Sequence, residues 1–316
     1  KKLIDLMTKF GAFFFPKGKF NFPLKIISSN MPIGIDYNAG VSAQLKSAVI
    51  LAGLNSYGET NILELKRSRD HTENMLLKNS QSIQIKNGKK KLIKVFGKKN
   101  LNPINLRVPG DPSSAAFFTA LTILNTKSFL IIKNVGLNNT RVGFYKLLKK
   151  HGANIKFINV KRKNNEEVGD ICIKSCVIKP IKASQEYYVN STDEYPILFV
   201  VAALTKGKSI FKGIEDLANK ESNRIKEMQK ILKQIGVKTV YSNNEIKIFG
   251  KGMIKASCKR INVPKLGDHR ICMSAFILGI LTGAKTTIKN FETVNTSSPS
   301  FLKIMKLLGV KSEKRI

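Results

Sequence analysis

Three stretches of the chain are apolar on every side of a helical wheel, and each is entered through a polar turn. They are SSAAFFTALTIL after Asp111-Pro112, ILFVVAAL after Asp193-Glu194-Tyr195-Pro196, and ICMSAFILGI after Asp268-His269-Arg270. None approaches the roughly 20 residues that a membrane span needs, so the pattern predicts helices buried on all sides in a globular core. Behind each lies a short β-rich run and then an amphipathic stretch ending in Gly-Ala or Gly-Val at Gly152, Gly236 and Gly309. In the second copy Ile225, Met228, Ile231, Leu232 and Ile235 form one stripe among lysines, which predicts a surface helix closed by a left-handed glycine. A looser copy begins at Val41 with SAQLKSAVILAGL, and the opening LIDLMTKFGA has the form of another copy's tail. A recurring unit of this length is the signature of a repeat architecture. The division it suggests is an incomplete first domain over residues 1–108 and a second domain of three repeats over 109–316.

Composition narrows the class. With 316 residues of which 42% are hydrophobic, the chain can bury a large core, and two domains are expected. The net charge of +34 is spread as lysine along the whole length, which suits anionic ligands in general but matches no nucleic-acid-binding motif. Cys172, Cys176, Cys258 and Cys272 fit neither a disulfide framework nor a zinc-knuckle spacing, so a reducing cytoplasm is expected, and no signal or transmembrane segment is seen. The first residue is not Met and the first element reads as the back half of a helix, from which a longer natural start is expected.

The polar turns hold the candidate chemistry. Asp111, Asp193 and Asp268 stand at equivalent places before the buried helices, as N-caps, and the free N–H groups there make an anion site once several are gathered together. Taken singly, each is ordinary capping. Lys-Glu-Ser-Asn-Arg at 220–224 reads as the first turn of a helix with Lys220 and Arg224 four apart and Glu221 between them. That is either a solvated charge cluster or a pair of cations for a phosphate or carboxylate with a carboxyl as proton carrier. Ser-Arg-Asp-His-Thr-Glu at 68–73 reads as a capped helix start, with Asp70 or Thr72 bonding the backbone. Arg270, set against a buried helix, needs an anion; a structural pair with Asp268 and a ligand clamp both satisfy it. His269 reads as a hydrogen-bonded shell residue. No His, Cys and carboxylate set has metal spacing, so no metal is expected, and there is no Walker A, GxGxxG or GxSxG match.

The ordered set VSAQLKSAVILAGL, RDHTENML, VPGDPSSAAFF, NNTRVG, DEYPILFVVAAL, KESNR and GDHRICMS resembles 5-enolpyruvylshikimate-3-phosphate synthase over nearly the whole chain. The resemblance implies an α/β fold of two inside-out barrels built from βαβαββ units, with the first domain incomplete here and the active site in the cleft between the two. It also implies transfer of the enolpyruvyl group of phosphoenolpyruvate to the 5-hydroxyl of shikimate 3-phosphate, without cofactor, by a cytoplasmic monomer that needs no nucleic acid or membrane. By motif position, Ser42, Ala43 and Gln44 contact the shikimate phosphate, with Gln44 also reaching the donor, and Arg69 lies on the same sugar-phosphate side. Asp193 holds the reacting hydroxyl and accepts its proton. Lys220 touches both substrates, Glu221 is the second acid/base, and Arg224 and Arg270 clamp phosphoenolpyruvate.

Three departures from the family pattern are visible: Asn223 where Asp is usual, Ser298 in place of a phenylalanine, and Thr296 where some relatives carry lysine. The family's N-terminal Lys and Ser-x-x-x-Arg segment, its Asn-x-Gly-Thr loop and its Arg-Pro motif would all precede Lys1, so the 316 residues alone are expected to be inactive. Two rival readings remain. One is the sister transferase acting on UDP-N-acetylglucosamine, which has Asp-Leu-Arg where Asp268-His269-Arg270 stands. The other is a noncatalytic polyanion-binding protein, which would need its lysines gathered on one face.

Overall fold

The computed structural model describes residues 1–256 and 258–313 and divides the chain into two units: residues 1–108 with 162–166, and residues 109–161 with the chain from Glu167 onward. In the first unit, helix α1 (Lys2–Lys9) leads into the hairpin β1 (Phe13–Phe15) and β2 (Lys25–Ile27). Then come β3 (Asp36–Ala39), α2 (Ala43–Asn55), β4 (Glu59–Glu64), α3 (His71–Leu76), β5 (Ile83–Lys86) and β6 (Lys91–Phe96). The four strands of this βαβαββ unit lie in the order β3-β4-β6-β5, with β3 parallel to β4 and the other pairings antiparallel. Strands β4 and β6 bury every second residue, as a sheet with one face on a core requires. Val49 and Ile50 of α2 complete that core with Ile62, Ile83, Ile93 and Val95.

The second unit repeats this plan. Helix α4 (Pro112–Leu124), β7 (Phe129–Gly136), α5 (Gly143–Lys150), β8 (Asn154–Lys163) and β9 (Glu166–Lys174) form its first copy, with Gly110 bridged in parallel to Val135. The second copy is β10 (Lys182–Ala183), α6 (Glu186–Ser191), α7 (Tyr195–Ala203), β11 (Gly207–Lys212), α8 (Arg224–Gln234), β12 (Lys238–Ser242) and β13 (Glu245–Gly250). Its sheet order, β10-β11-β13-β12, and its sequence of parallel and antiparallel pairings match those of the first unit. The third is β14 (Arg260–Val263), α9 (His269–Thr282), β15 (Lys285–Ile288) and α10 (Phe301–Leu307), with β14 parallel to β15.

Helices α4, α7 and α9 pack on one another at the centre of the second unit. All nine residues of α7 are buried, which is why its sequence carries no polar stripe. The outer helix α8 buries Ile225, Met228, Ile231 and Leu232 and turns its lysines outward. Gly152 at φ 97° and Gly236 at φ 79° supply the left-handed residue after α5 and α8, where a side chain would be strained. The hairpin between β12 and β13 turns on Asn243 and Asn244, both at positive φ.

Helix α2 departs from the expected all-round burial. Its sequence has no polar stripe, yet Leu51 is 52% exposed. Among the described residues no helix is long and apolar enough to cross a membrane, and all four cysteines are free thiols.

Candidate active site

The second unit brings Asp193, Glu221, Arg224, Asp268 and Arg270 together. Two local devices aim them. Asp268 caps α9, accepting hydrogen bonds from the Arg270 and Ile271 amides at 3.0 and 3.4 Å. Asn223 caps α8, accepting from the Lys226 amide at 3.0 Å. These caps place Arg224 and Arg270 at the first turns of neighbouring helices, and both reach Asp193 from there. Arg270 Nη2 lies 3.3 Å and Arg224 Nη1 3.8 Å from its carboxylate.

The pairing differs from the sequence expectation. Asp268 pairs with Arg224, at 2.9 Å to Nε, and also accepts from Ser222 at 2.9 Å; the ion partner of Arg270 is Asp193. Burial pushes the Asp268 carboxyl up, but the charge and hydrogen bond of Arg224, with Ser222 and the Arg270 amide, outweigh it and hold the group below the usual range. Arg224 is 1% exposed, is bonded also to Glu221 at 2.6 Å, and leaves Nη1 buried without a hydrogen bond. That spare donor and the fork of Arg270 are N–H groups that can donate to an anion.

Four further expectations are corrected. Asp193 is not a cap: it sits in the 3₁₀ turn Thr192–Glu194, and α7 starts after Glu194 with Pro196 in its first turn. Lys220 and Glu221 are not in a helix, because the Asn223 cap starts α8 only at Arg224; they occupy the turn after the 3₁₀ segment Glu215–Asn219. Lys220 bonds Asp216 at 2.6 Å, and Asp216 accepts from the Tyr188 hydroxyl at 3.0 Å. His269 makes no hydrogen bond through its buried Nε2, and burial with the adjacent Arg270 charge lowers its pKa, keeping it neutral at pH 7. Asp70 likewise precedes α3 without a side-chain cap, while Thr72 shares a 2.7 Å hydrogen bond with Ser47.

The departures at 223, 296 and 298 have local explanations. Asn caps a helix as well as Asp does. Asn223→Asp is therefore expected to leave stability within about 0.5 kcal/mol, whereas Asn223→Ala costs about 1 kcal/mol by urea denaturation. Ser298 is buried at the end of the 3₁₀ segment Phe291–Thr296, its amide bonded to the Val294 carbonyl, and exposed Thr296 bonds back to the Thr293 carbonyl.

Glu194 and Arg141 were not singled out in the sequence. Glu194 is buried beside Asp193, accepts a hydrogen bond from Ser113 Oγ, and is pushed up by burial and by the Asp193 charge. Arg141 Nη2 donates at 2.7 Å to both Ser113 Oγ and Asp111 at the start of α4, and Ser113 in turn links that start to Glu194 before α7. Only the adjacency of Glu194 to Asp193 hinted at this from the chain.

In the first unit, Ser42 caps α2, accepting from the Leu45 amide at 3.4 Å, and Ala43 and exposed Gln44 form the first turn. Half-buried Arg69 lies between β4 and α3. The structure thus groups the predicted residues into two sets, one per unit.

Repeated βαβαββ units with this topology define a class. The enolpyruvyl transferase NikO from Streptomyces tendae superposes on 98% of this chain and 71% of that one with a TM-score of 0.68 at 11% identity, so the fold is that of the enolpyruvyl transferases. The EPSP synthase from Acinetobacter baumannii covers 97% of this chain and 69% of its own, with a TM-score of 0.82 and 33% identity. Residues 1–305 match the model of EPSP synthase (3-phosphoshikimate 1-carboxyvinyltransferase), and the chain belongs to that family. The 3-phosphoshikimate 1-carboxyvinyltransferase of Thermodesulfovibrio yellowstonii is 40% identical over 313 residues, 98% of this chain and 71% of that protein. That of Petrotoga mobilis is 38% identical over 307 residues, 96% of this chain and 70% of that protein.

Proposed function

We infer that the protein transfers the enolpyruvyl group of phosphoenolpyruvate to the 5-hydroxyl of shikimate 3-phosphate, releasing phosphate, as its family membership implies. The observation that supports the reading best is the convergence of Arg224 and Arg270, from two repeats, on Asp193. Such a site pairs anion clamps with a carboxylate base, and this reaction needs both.

The 5-hydroxyl oxygen bonds to C2 of the enol as its proton leaves for the Asp193 carboxylate, while C3 takes a proton and becomes a methyl group. Glu221, half exposed at the mouth of the cluster, serves as that second acid/base. The resulting tetrahedral carbon carries the phosphate. Loss of a C3 proton and cleavage of the C2–O bond to phosphate then restore the double bond. Arg224 and Arg270 hold the donor's phosphate and carboxylate, where charge shifts during both steps. Lys220 leaves Asp216 to bridge the two substrates. Ser42, Ala43, Gln44 and Arg69 bind the sugar phosphate, the first three at a helix start whose free amides favour anions.

Phosphate release from the two substrates, measured in the natural full-length protein, tests the reading; no release above background would sink it. Arg270→Lys keeps the charge and loses the fork, and is expected to raise the KM for phosphoenolpyruvate about ten-fold or more. An unchanged KM would remove Arg270 from the clamp. Free thiols at Cys172, Cys176, Cys258 and Cys272 fit a reducing compartment, and we read the protein as a cytoplasmic monomer, which light scattering checks.

A further inference from the structure

Lys46 is the one charged residue of helix α2, and its side chain is fully buried. Its ammonium lies 2.8 Å from Glu64 at the end of β4 and 2.7 Å from Glu73 on α3. Lys91, at the start of β6, adds a second cation, 3.1 Å from Glu73 and 3.9 Å from Glu64. Two lysines and two carboxylates thus form a buried, electrically balanced quartet. Burial works to raise the Glu64 carboxyl, but hydrogen bonds from Lys46 and Ser68 prevail and hold it below the ordinary range, so it stays ionised.

Such a quartet is a poor device for stability. Buried ion pairs rarely outperform apolar residues of the same size, and Glu64 Oε2 and Glu73 Oε2 are both buried without a hydrogen bond. What short charged contacts do supply is fixed direction. Here they act on two places. The Lys46 amide donates to the Ser42 carbonyl, so the ammonium is anchored one turn from Ser42, Ala43 and Gln44. Glu64 Oε1 also accepts from the Ser68 amide at 2.8 Å and from Ser68 Oγ at 2.7 Å, pinning the residue next to Arg69. On the far side of Arg69, Glu73 holds α3 to the same ammonium. The intervening Leu65, Lys66 and Arg67 are exposed.

We propose that Lys46, Glu64, Glu73 and Lys91, with Ser68, form a positioning network that sets the spacing between the α2 start and Arg69, and through it the affinity for the sugar phosphate. The proposal rests on the assignment of those two segments to shikimate 3-phosphate. None of the five touches substrate. Each acts through the groups it holds.

The test measures, in the full-length protein, the Kd of shikimate 3-phosphate by calorimetry and the KM of each substrate by phosphate release. Ser68→Ala leaves the ion pairs and removes one donor to Glu64; it is expected to weaken shikimate 3-phosphate about ten-fold. Lys46→Met is expected to weaken it more than Ser68→Ala does, since it leaves two buried carboxylates to a single lysine. In both variants the KM of phosphoenolpyruvate, which the α2 start reaches through Gln44 alone, rises several-fold less than that of shikimate 3-phosphate and kcat holds, a split that general loosening of the fold would not give. Should Lys46→Met fail to fold, Ser68→Ala decides. An unchanged Kd in Ser68→Ala, or equal weakening of both substrates, overturns the network. A wild-type protein that binds shikimate 3-phosphate but releases no phosphate sinks the reaction and leaves the network to be judged on Kd; one that does not bind it overturns both.

Discussion

Asp193→Asn is expected to lower kcat by about 10²–10⁴-fold, the range that a positioned general base contributes. The variant keeps the size of the side chain and its place in the 3₁₀ turn. It loses the charge that faces Arg270 at 3.3 Å and Arg224 at 3.8 Å, and with it the ability to take the hydroxyl proton. A melting curve reports separately what the lost pairs with Arg270 and the buried Arg224 cost the fold. Binding of phosphoenolpyruvate should hold or tighten, since a carboxylate that competes for the two guanidiniums has gone. Steady-state phosphate release with a parallel melting curve distinguishes these effects. A kcat within ten-fold of wild type would remove Asp193 from the role of base.

The second large effect is on folding. Asp268→Ala is expected to destabilise the protein by about 3–5 kcal/mol, because it leaves the buried Arg224 guanidinium without its main partner and also uncaps α9. Glu221 cannot make up the loss. It is half exposed, and its pair with Arg224 is screened by water. The pH dependence has a definite sign. Asp268 has a folded pKa below its unfolded value, so its contribution is complete above the unfolded value of about 3.9 and is lost as pH falls through the lower folded value. Denaturant midpoints taken between pH 7 and pH 2 should therefore fall at the acid end in the wild type and lack this component in Asp268→Ala. A variant as stable as wild type at pH 7 would show that Arg224 is satisfied elsewhere.

The two expected results separate roles that the chain presents side by side. In the sequence, Asp268 adjoins His269-Arg270, and an ion pair within the triplet is as reasonable as a clamp. In the structure, Asp268 turns inward to an arginine 44 positions away, and Arg270 is left for Asp193. Glu194 shows the same limit. It lies next to the proposed base, yet it faces Ser113 and Arg141 of another repeat.

What the sequence determined by itself is everything that local geometry sets. The three helices α4, α7 and α9, which have no polar stripe, are enclosed, because their apolar surface has no side to give to water, whereas α2 leaves Leu51 exposed. Asp111 and Asp268 had to cap, since a short acceptor before a buried helix satisfies amides that nothing else reaches. Gly236 had to end α8, because the left-handed turn there excludes a side chain. The tertiary structure alone decided which charges meet. Arg224 with Asp268, Arg270 with Asp193, and Lys46 with Glu64 and Glu73 join residues far apart in the chain. Their partners were chosen by where packed helices and strand ends come to rest, and Coulomb attraction over a few ångströms leaves no periodic trace in the order of residues.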